Sequence, residues 1–351
     1  MSLTQQGDAM KLPRRKFLHL AAGAAASVVP QIATAQTYPT RAITLVVPVA
    51  AGGGVDTAAR ILAGKLQDKL KQPVIVEDRP GAGSMIGANL VAKAAPDGHT
   101  LLLMEPGAVL AKWLNKSVPY DVTKDFTPIA LVATQPLVLF AHPSLPANDI
   151  RELIAYAKAN PRKLAVGTAG LGSPHHLAAA WLNTAAKIEI MVVPYRGAAP
   201  ALNDLLGGQI PLIWALPVSA MPFVEQGKVK ALGISTRQRF ALIPQLPTVA
   251  ESAVPGFDID FFYGIAAPAN VQPDVVARLS EAIREITELP DVSERMSTLG
   301  ISVHFRDSDE FRKLIATEYQ KYGDRSRNRH PTRLIPGSPA NNDTLRSRRT
   351  R

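Results

Sequence analysis

The segment Pro48-Val49-Ala50-Ala51-Gly52-Gly53-Gly54-Val55-Asp56 joins a strand pattern to a helix pattern near the start of the chain. Before it, Ile43–Val47 is an apolar run typical of a buried strand. After it, Val55–Lys71 has apolar residues at four-residue spacing on one helical face. Glycines in such a turn let backbone N–H groups approach a ligand, and a helix N-terminus favours an anion. The segment therefore predicts either a tight turn or an anion-binding loop.

Phosphate is not the anion that this segment predicts. It contains neither the G-x-x-x-x-G-K-S/T pattern of phosphate-binding loops nor the G-x-G-x-x-G pattern of dinucleotide-binding turns. What remains is a loop sized for a carboxylate or a similar small anion. Its candidate ligand-binding residues are Ala51, Gly52, Gly53 and Asp56.

A second segment of the same design is Gly167-Thr168-Ala169-Gly170-Leu171-Gly172-Ser173. It follows an apolar strand pattern, and Ser173 is placed as the N-cap of a helix that Pro174 opens. In open α/β sheets ligands lie beyond the carboxyl ends of strands, where both segments fall. The pair therefore predicts a binding cleft between two parts of the chain. The candidates in this second segment are Thr168, Ala169, Gly170 and Ser173.

Strand and helix patterns alternate along almost the whole chain, which predicts an α/β fold with right-handed crossovers and parallel sheets covered on both faces. The predicted strands are Ile43–Val47, Val74–Glu77, Thr100–Met104, Leu137–Ala141, Leu164–Val166, Ile190–Val193, Ile210–Trp214, Ala231–Ser235 and Ile259–Ala266. The predicted helices are Val55–Lys71, Ser84–Lys93, Ile150–Ala159, Pro174–Ala185, Ala198–Leu206, Val218–Gln226, Pro273–Thr287 and Asp307–Tyr322, the last with Asp307 and Glu310 as a capping pair.

The first 35 residues predict a secretory signal. Arg14-Arg15-Lys16-Phe17-Leu18 precedes a short apolar run from Leu20 to Val29, and Ala33-Thr34-Ala35 is a small-x-small cleavage site. The apolar run is too short to span a bilayer. Paired arginines before Phe-Leu are typical of twin-arginine export, so we expect a periplasmic protein that begins near Gln36. The alternative is a basic amphipathic start on a cytosolic protein.

The formal net charge of +10 is confined to the two ends of the chain. Residues 1–35 carry four basic residues against one acidic residue, and residues 325–351 carry eight arginines against Asp343, so residues 36–324 are neutral. A basic nucleic-acid-binding face is therefore not predicted. Residues 324–351, rich in Arg, Ser, Asn and Pro, predict a disordered tail, with a functional basic tail as the alternative.

Patterns for catalysis or metal binding are weak. Ser173 lies close to His175 and His176, but G-L-G-S-P is not the G-x-S-x-G elbow of a nucleophile, and adjacent histidines point in different directions on a helix. The other histidines have no metal-site spacing, and cysteine is absent. We expect no catalytic residue, no metal and no cofactor, and we keep a periplasmic enzyme acting on a carboxylate as the weakest alternative.

Two further residues follow strands. Arg79, in Arg79-Pro80-Gly81-Ala82-Gly83-Ser84, is expected to pair with Glu77 or Asp78 rather than with an anion. Tyr195, in Tyr195-Arg196-Gly197, is a candidate to stack on a ligand or hydrogen-bond to it.

Several of these stretches together resemble the Bug receptors, the extracytoplasmic solute receptors of tripartite tricarboxylate transporters. The resemblance spans roughly residues 38–322 and departs from the family after Gly323. Asp78 stands where the family signature E-N-R-P-G-A-G has Asn. The matching stretches are Tyr38–Arg41, Val46–Pro48, Gly52–Asp56, Glu77–Gly83, Pro96–Leu102, Asp125–Pro128, Val193–Gly197, Asp204–Gln209, Pro247–Glu251 and Pro255–Phe257.

The resemblance implies a type II periplasmic-binding-protein-like fold, with two Rossmann-like lobes and a ligand cleft between them. It places residues 36–138 plus 259–323 in one lobe and 139–258 in the other. It implies that the two glycine-rich segments grip a substrate carboxylate through backbone amides and bridging waters. A distal pocket would then be lined near Pro106–Ala108, where Gly107 is a candidate, and near Trp214–Ser219 and Phe261–Gly264.

The function that the resemblance implies is capture of a small carboxylate, such as a tricarboxylate, a dicarboxylate, an amino acid or an aromatic acid. The expected partners are that ligand and the membrane permease subunits of a tripartite transporter, with the receptor itself a monomer. A periplasmic sensor that presents its ligand to a membrane kinase needs the same cleft and stays open as an alternative.

Overall fold

Two β-sheets organise the residues that the computed structural model describes, which are 38–115 and 117–327. The first sheet has the strand order β11-β4-β10-β3-β1-β2, and the second has the order β7-β6-β8-β5-β9. In chain order the strands are β1 (Ile43–Val47), β2 (Val74–Asp78), β3 (Thr100–Met104), β4 (Phe126–Pro136), β5 (Val138–Ala141), β6 (Ala165–Thr168), β7 (Met191–Pro194), β8 (Leu212–Ala215), β9 (Lys230–Ile234), β10 (Asp260–Pro268) and β11 (Ser302–Arg306).

Helices connect most of these strands and cover the sheets. In chain order they are α1 (Gly54–Leu70), α2 (Met85–Ala92), α3 (Pro106–Leu114), α4 (Ile150–Ala159), α5 (Pro174–Ala186), α6 (Ala198–Leu206), α7 (Pro217–Glu225), α8 (Val249–Ser252), α9 (Pro273–Thr287), α10 (Pro290–Ser297) and α11 (Ser308–Arg327). In the part of the chain that the structure describes, no helix combines the length and apolar character needed to cross a membrane.

The expectation of parallel sheets is wrong for part of each sheet. β1 pairs in parallel with β2 and β3, and β6 pairs in parallel with β7 and β8. However, β10 runs antiparallel to β3 and β4, and β5 runs antiparallel to β8 and β9. The reason is that β5 and β10 enter their sheets from the other sheet, so no strand–helix–strand crossover fixes their direction.

Several elements lie outside the sequence predictions. β4, β11, α3, α8 and α10 were not predicted, and β4 contains two prolines, Pro128 and Pro136, which usually argue against a strand. The last helix continues to Arg327, so residues 324–327 are helical rather than part of a disordered tail. Once a helix is nucleated, each added residue gains one backbone hydrogen bond, so it continues past the last apolar position. The predicted signal at 1–35 and the rest of the predicted tail, 328–351, lie outside the described residues.

The first sheet takes its strands from residues 43–136 and 260–306, and the second takes its strands from residues 138–234. The chain therefore crosses between the sheets twice, at Leu137 and between Ile234 and Asp260. The described residues from Pro39 to Arg327 belong to one compact unit.

Ser235 joins the two crossing segments. Its buried hydroxyl donates to the Ile259 carbonyl at 2.6 Å and accepts from the Leu137 amide at 2.9 Å. Its backbone amide donates to the Leu137 carbonyl, and its carbonyl accepts from the Ile259 amide. One residue at the end of β9 thus satisfies four backbone groups on the segments that connect the sheets.

We expect Ser235→Ala to lower the free energy of unfolding by about 2–4 kcal/mol, because it leaves a buried amide and a buried carbonyl each short of a partner. Urea denaturation measures this change. Ser144→Ala, which removes an exposed hydroxyl that bonds His142, is the control, with an expected change below about 0.5 kcal/mol. Equal effects of the two substitutions would contradict the assigned role of Ser235.

Asp260, at the second crossing, is a buried carboxyl in a charged cluster. Burial raises the pKa of Asp260 to about 7, and the neighbouring Asp258 and Glu318 carboxylates add to that increase, while Lys321 and Arg306 oppose it. Lys321 Nζ donates to Asp258 Oδ2 at 2.9 Å and to Glu318 Oε1 at 3.1 Å. The lysine is therefore shared among carboxylates and does not fully compensate Asp260.

The raised pKa of Asp260 has a consequence for stability against pH. Because the folded state holds this proton more tightly than the unfolded state, the contribution of Asp260 to stability falls as pH rises from about 4 to about 7. We expect the wild type to lose about 2–3 kcal/mol more than Asp260→Asn between pH 5 and pH 8. Parallel stability profiles for the two proteins in urea titrations would contradict this expectation.

Candidate ligand-binding site

The first loop, residues 48–53, follows β1 and leads into α1. Ala51, Gly52 and Gly53 are exposed, and Gly52 has a φ of 81°, a left-handed conformation that favours glycine. Gly53 is the N-cap residue of α1, and no side chain caps the helix there. The loop therefore presents exposed backbone and an uncapped positive helix end, the combination that attracts a small anion.

Asp56 holds this loop in shape from the first turn of α1. Its Oδ2 accepts from the Gly52 amide at 2.8 Å, and its Oδ1 pairs with Arg60 Nε at 2.7 Å. Arg60 also reaches Asp78 Oδ2 at 2.9 Å. Asp56 is only 4% exposed, so its carboxylate is engaged by protein groups on both oxygens. Of the candidates in the first loop, Asp56 is the one built to position the backbone.

The second loop, residues 169–173, follows β6 and leads into α5. Ser173 is the N-cap, as predicted: its Oγ accepts from the His176 amide at 3.2 Å and donates to the Gly170 carbonyl at 2.7 Å. Gly170 and Gly172 have φ values of 124° and 79°. The hydroxyl of Ser173 is therefore used by the loop itself, and Thr168, at the end of β6, is completely buried beneath it.

Segments that follow strands of the first sheet touch segments that follow strands of the second sheet at these loops. A Cβ placed on Gly83, after β2, would lie 2.9 Å from the Gly172 carbonyl group. A Cβ placed on Gly54, at the start of α1, would lie 2.9 Å from Val218 Cγ1 in α7. Both contacts join a segment after a strand of the first sheet to a segment after a strand of the second. We call the residues that build the first sheet and those that build the second sheet the two halves of the chain. The two glycine-rich loops therefore lie where these two halves meet.

Gly107 is buried beside the same contact, but its amide is already in use. The amide donates to Oε2 of Glu105 at 2.8 Å, since Glu105 is the N-cap of α3. A Cβ on Gly107 would lie 3.0 Å from Ser84 Oγ and 3.1 Å from the Gly83 carbonyl. Burial raises the pKa of Glu105, and hydrogen bonds from Ser84 and from the first amides of α3 oppose the increase. The absence of a side chain at Gly107 thus allows the start of α3 to pack closely against Gly83 and Ser84.

Tyr195 lies at the end of β7, half-buried, and its amide donates to the Thr168 carbonyl. Its hydroxyl donates to Asp204 Oδ2 at 2.6 Å. Burial and this bond to Asp204 raise the pKa of Tyr195 to about 12. The Tyr195 backbone carbonyl oxygen lies beside Gly170, 3.2 Å from where a Cβ on that glycine would be, while the hydroxyl bonds Asp204 in α6. Arg79, as predicted, pairs with Glu77.

We expect Tyr195→Phe to leave affinity for a bound carboxylate within about twofold and to lower the free energy of unfolding by about 0.5–1.5 kcal/mol, because only the bond to Asp204 is lost. Calorimetric titration and urea denaturation measure the two quantities. Tyr156→Phe in α4 is the control for loss of a tyrosine hydroxyl. A tenfold loss of affinity in Tyr195→Phe would place the hydroxyl on the ligand.

The structure also reveals two buried polar residues, Gln135 and His175, that the sequence analysis did not assign to the site. Gln135 hydrogen-bonds through Nε2 to the hydroxyl of Tyr263, which lies in the expected distal pocket, and both are buried. His175 is 6% exposed, and its ring lies against the Phe261 ring with centroids 6.4 Å apart. Burial lowers the pKa of His175 to about 4, so the ring is neutral at pH 7. A polar residue interrupting an apolar strand, as Gln135 does in β4, is the sequence signal that could have indicated this region.

The side chains nearest the second loop are engaged in holding the loop itself. Ser173 Oγ is occupied by Gly170 and the His176 amide, which leaves no serine–histidine pair of the kind that activates a nucleophile at this loop. Within residues 38–115 and 117–327, no three His, Asp or Glu side chains cluster as a metal site requires.

Comparison with known proteins agrees with this geometry. The family described as "Tripartite tricarboxylate transporter family receptor" matches residues 58–329. Protein BugT of Bordetella pertussis (strain Tohama I) is 37% identical over 295 residues, covering 82% of this chain and 89% of that protein. The structure of MatC from Rhodopseudomonas palustris with bound malate is 34% identical, with a TM-score of 0.76, covering 82% of this chain and 100% of that chain. An R. palustris protein solved with adipate is 30% identical, with a TM-score of 0.77, covering 83% of this chain and 97% of that chain.

The family match covers most of the described residues, and it includes α1 from Ala58 onward, the second loop and Tyr195. The sequence match and the matches in fold each cover most of the chain. The chain belongs to the tripartite tricarboxylate transporter receptor family.

Proposed function

We propose that this protein is a periplasmic receptor that captures a small carboxylate between two lobes and delivers it to the permease of a tripartite transporter. The proposed lobes are residues 36–138 plus 259–323 and residues 139–258. The strand membership of the two sheets supports this division. The proposed ligand-binding residues lie where segments from the two lobes meet.

The observation that carries the proposal is the uncapped N-terminus of α1 behind an exposed glycine loop. Gly53 has an extended conformation (φ −85°, ψ 170°) and no side chain, so the first amides of the helix face the loop without a capping oxygen. A carboxylate ligand supplies the missing acceptor, and a charge-assisted bond to an amide is stronger than a neutral one. Asp56 fixes the loop by bonding Gly52.

The second loop offers a matching surface from the other lobe. Ala169 and Gly170 are partly exposed, and the Tyr195 backbone carbonyl lies beside Gly170. A ligand held by both loops bonds both lobes only when they are close together, so it favours the closed arrangement. Adipate and malate, bound in the related R. palustris proteins, are small carboxylates of the proposed class.

The remaining parts of the proposal concern location and partners. Residues 1–35 act as a twin-arginine signal that exports the folded protein to the periplasm. The receptor works as a monomer, without a cofactor, and its partner is the membrane permease. Related receptors are periplasmic transporter components by their descriptions, which supports this assignment.

The test is a charge placed on the N-cap of α1. We expect Gly53→Asp to reduce affinity for malate and adipate at least about 100-fold, because a second negative charge near 4 Å opposes the ligand carboxylate. Gly53→Asn is the matched control: it has the same shape without the charge, and Asn is an equally good N-cap. Calorimetric titration of both variants measures the difference.

Stability separates this effect from misfolding. A Cβ on Gly53 would lie 3.8 Å from the Ala50 carbonyl oxygen, an ordinary van der Waals contact, and Asp at an N-cap stabilises a helix. We therefore expect Gly53→Asp to be at least as stable as the wild type while it fails to bind. Affinity of Gly53→Asp equal to that of the wild type would remove the N-terminus of α1 from the site and overturn the proposal.

A further inference from the structure

Three buried polar side chains, on β6, β8 and α5, have hydrogen-bonding atoms that are not used by the described residues. Thr168, Trp214 and His175 are 0%, 1% and 6% exposed. Thr168 Oγ1, Trp214 Nε1 and both ring nitrogens of His175 have no hydrogen-bond partner among the described residues. Buried polar groups in native proteins are nearly always bonded, so three such groups in one region require an explanation.

Thr168 and Trp214 lie side by side on one face of the second sheet. β6 and β8 are parallel, with Val166 opposite Leu212 and Gly167 opposite Ile213, so Thr168 and Trp214 follow as the next pair at the carboxyl ends of the strands. Gly167 faces Ala201 in α6 on one side of the sheet. Because side chains alternate along a strand, Thr168 points to the other side, the side that α5 covers.

His175 lies over this pair from the first turn of α5. Ala179 and Leu182, four and seven residues further on, line the same gap in the packing as Val166, Leu212 and Trp214. Residues at this spacing share one helical face, so His175 belongs to the face of α5 that covers the sheet. Because α5 begins just after β6, its first turn, which contains His175, lies towards the carboxyl end of β6, the end at which Thr168 lies.

Strands β4 and β10 of the first sheet close this region with aromatic rings and one further polar atom. The Phe261 ring lies against His175, and the Tyr263 ring lies 5.4 Å from Phe261. Gln135 bonds Tyr263, and its Oε1 has no hydrogen-bond partner in the described part of the chain. The unused groups therefore lie where the two halves meet, as the two glycine loops do.

We propose that Thr168, His175 and Trp214 form a second subsite that binds an uncharged oxygen, a hydroxyl or keto group, on the carboxylate ligand. This inference rests on the proposed function, because the carboxylate itself is held at the glycine loops. Trp214 supplies an N–H donor, Thr168 supplies a hydroxyl that donates or accepts, and neutral His175 supplies one donor and one acceptor. The substrate class is therefore a hydroxy or oxo carboxylic acid.

The subsite chemistry argues against a second carboxylate at this position. None of the three side chains carries a positive charge at pH 7, since burial keeps the pKa of His175 near 4. Taking an unpaired carboxylate into a buried site is far more costly than taking a neutral oxygen. Burial, and to a lesser extent the nearby Glu105 carboxyl, raise the pKa of Tyr263, so the Tyr263 side chain adds no positive charge to this region.

The test compares acids that differ only in the oxygen: malate with succinate, lactate with propionate, and 4-hydroxybenzoate with benzoate. For the hydroxy acid that the wild type binds most tightly of the three, we expect an affinity at least about tenfold higher than that of its deoxy partner. The reason is that a site built to bond an oxygen rejects the analogue that lacks it. Thr168→Val and His175→Phe keep the side-chain volume roughly constant and are expected to reduce that ratio to about one to three. Calorimetry on the full-length exported protein measures each affinity.

A stability measurement distinguishes a binding role from a structural one. If Thr168 is held unpaired for a ligand, Thr168→Val should be as stable as the ligand-free wild type or more stable, since it removes a buried polar group without a partner. If the hydroxyl were structural, Thr168→Val would be less stable, which would overturn the inference. Ser235→Ala, which breaks bonds that the structure contains, provides the destabilised reference.

The outcomes separate this inference from the proposed function. Equal binding of hydroxy and deoxy acids by the wild type, or an unchanged ratio in Thr168→Val and His175→Phe, would overturn the subsite and leave carboxylate capture intact. Failure of every acid in the set to bind the wild type would overturn the proposed function and the subsite with it. Selective binding of the hydroxy acids that Thr168→Val and His175→Phe abolish would establish the subsite.

Discussion

The arrangement of both sheets depends on the hydrogen bonds that Ser235 makes to the two crossing segments. Leu137 and Ile259 are far apart in the chain, and both are held by one buried hydroxyl and one peptide unit at the end of β9. These bonds set where each sheet ends relative to the other. If the two proposed lobes close on a ligand, the crossing segments must bend without separating, and the bonds at Ser235 hold these segments together.

The glycines at the contact between the halves show how closely the backbones approach. Gly83 and Gly54 each face an atom of the other half at a distance that leaves no room for a Cβ. At Gly53 the situation is the reverse, because a side chain would fit in the open space beside the loop. Steric exclusion accounts for the first two glycines, whereas access to the backbone amides of α1 accounts for the third.

The buried polar groups between the halves lower the stability of the free protein. Each unbonded group of this kind costs about 1–3 kcal/mol, comparable to a large share of a domain's net stability. Such a loss persists where function needs it, since a ligand that bonds those atoms recovers the energy on binding. Thr168, His175 and Trp214 therefore point to a ligand, because their polar atoms have no hydrogen-bond partner among the described residues. Tyr195 and Asp56 have protein partners for their polar atoms, which indicates a role in holding the structure.

The sequence by itself determined the α/β class, the positions of most strands and helices, the two glycine-rich loops and the N-cap at Ser173, because apolar periodicity, glycine and capping residues act over a few neighbouring positions. Only the tertiary structure decided the antiparallel direction of β5 and β10, the pairing of β4 despite its prolines, and the use of Asp56 and the Tyr195 hydroxyl inside the protein. It also decided which polar side chains are buried without partners. These features depend on contacts such as Leu137 with Ser235 and Gln135 with Tyr263, 98 and 128 positions apart, and no local pattern records which distant residues will meet.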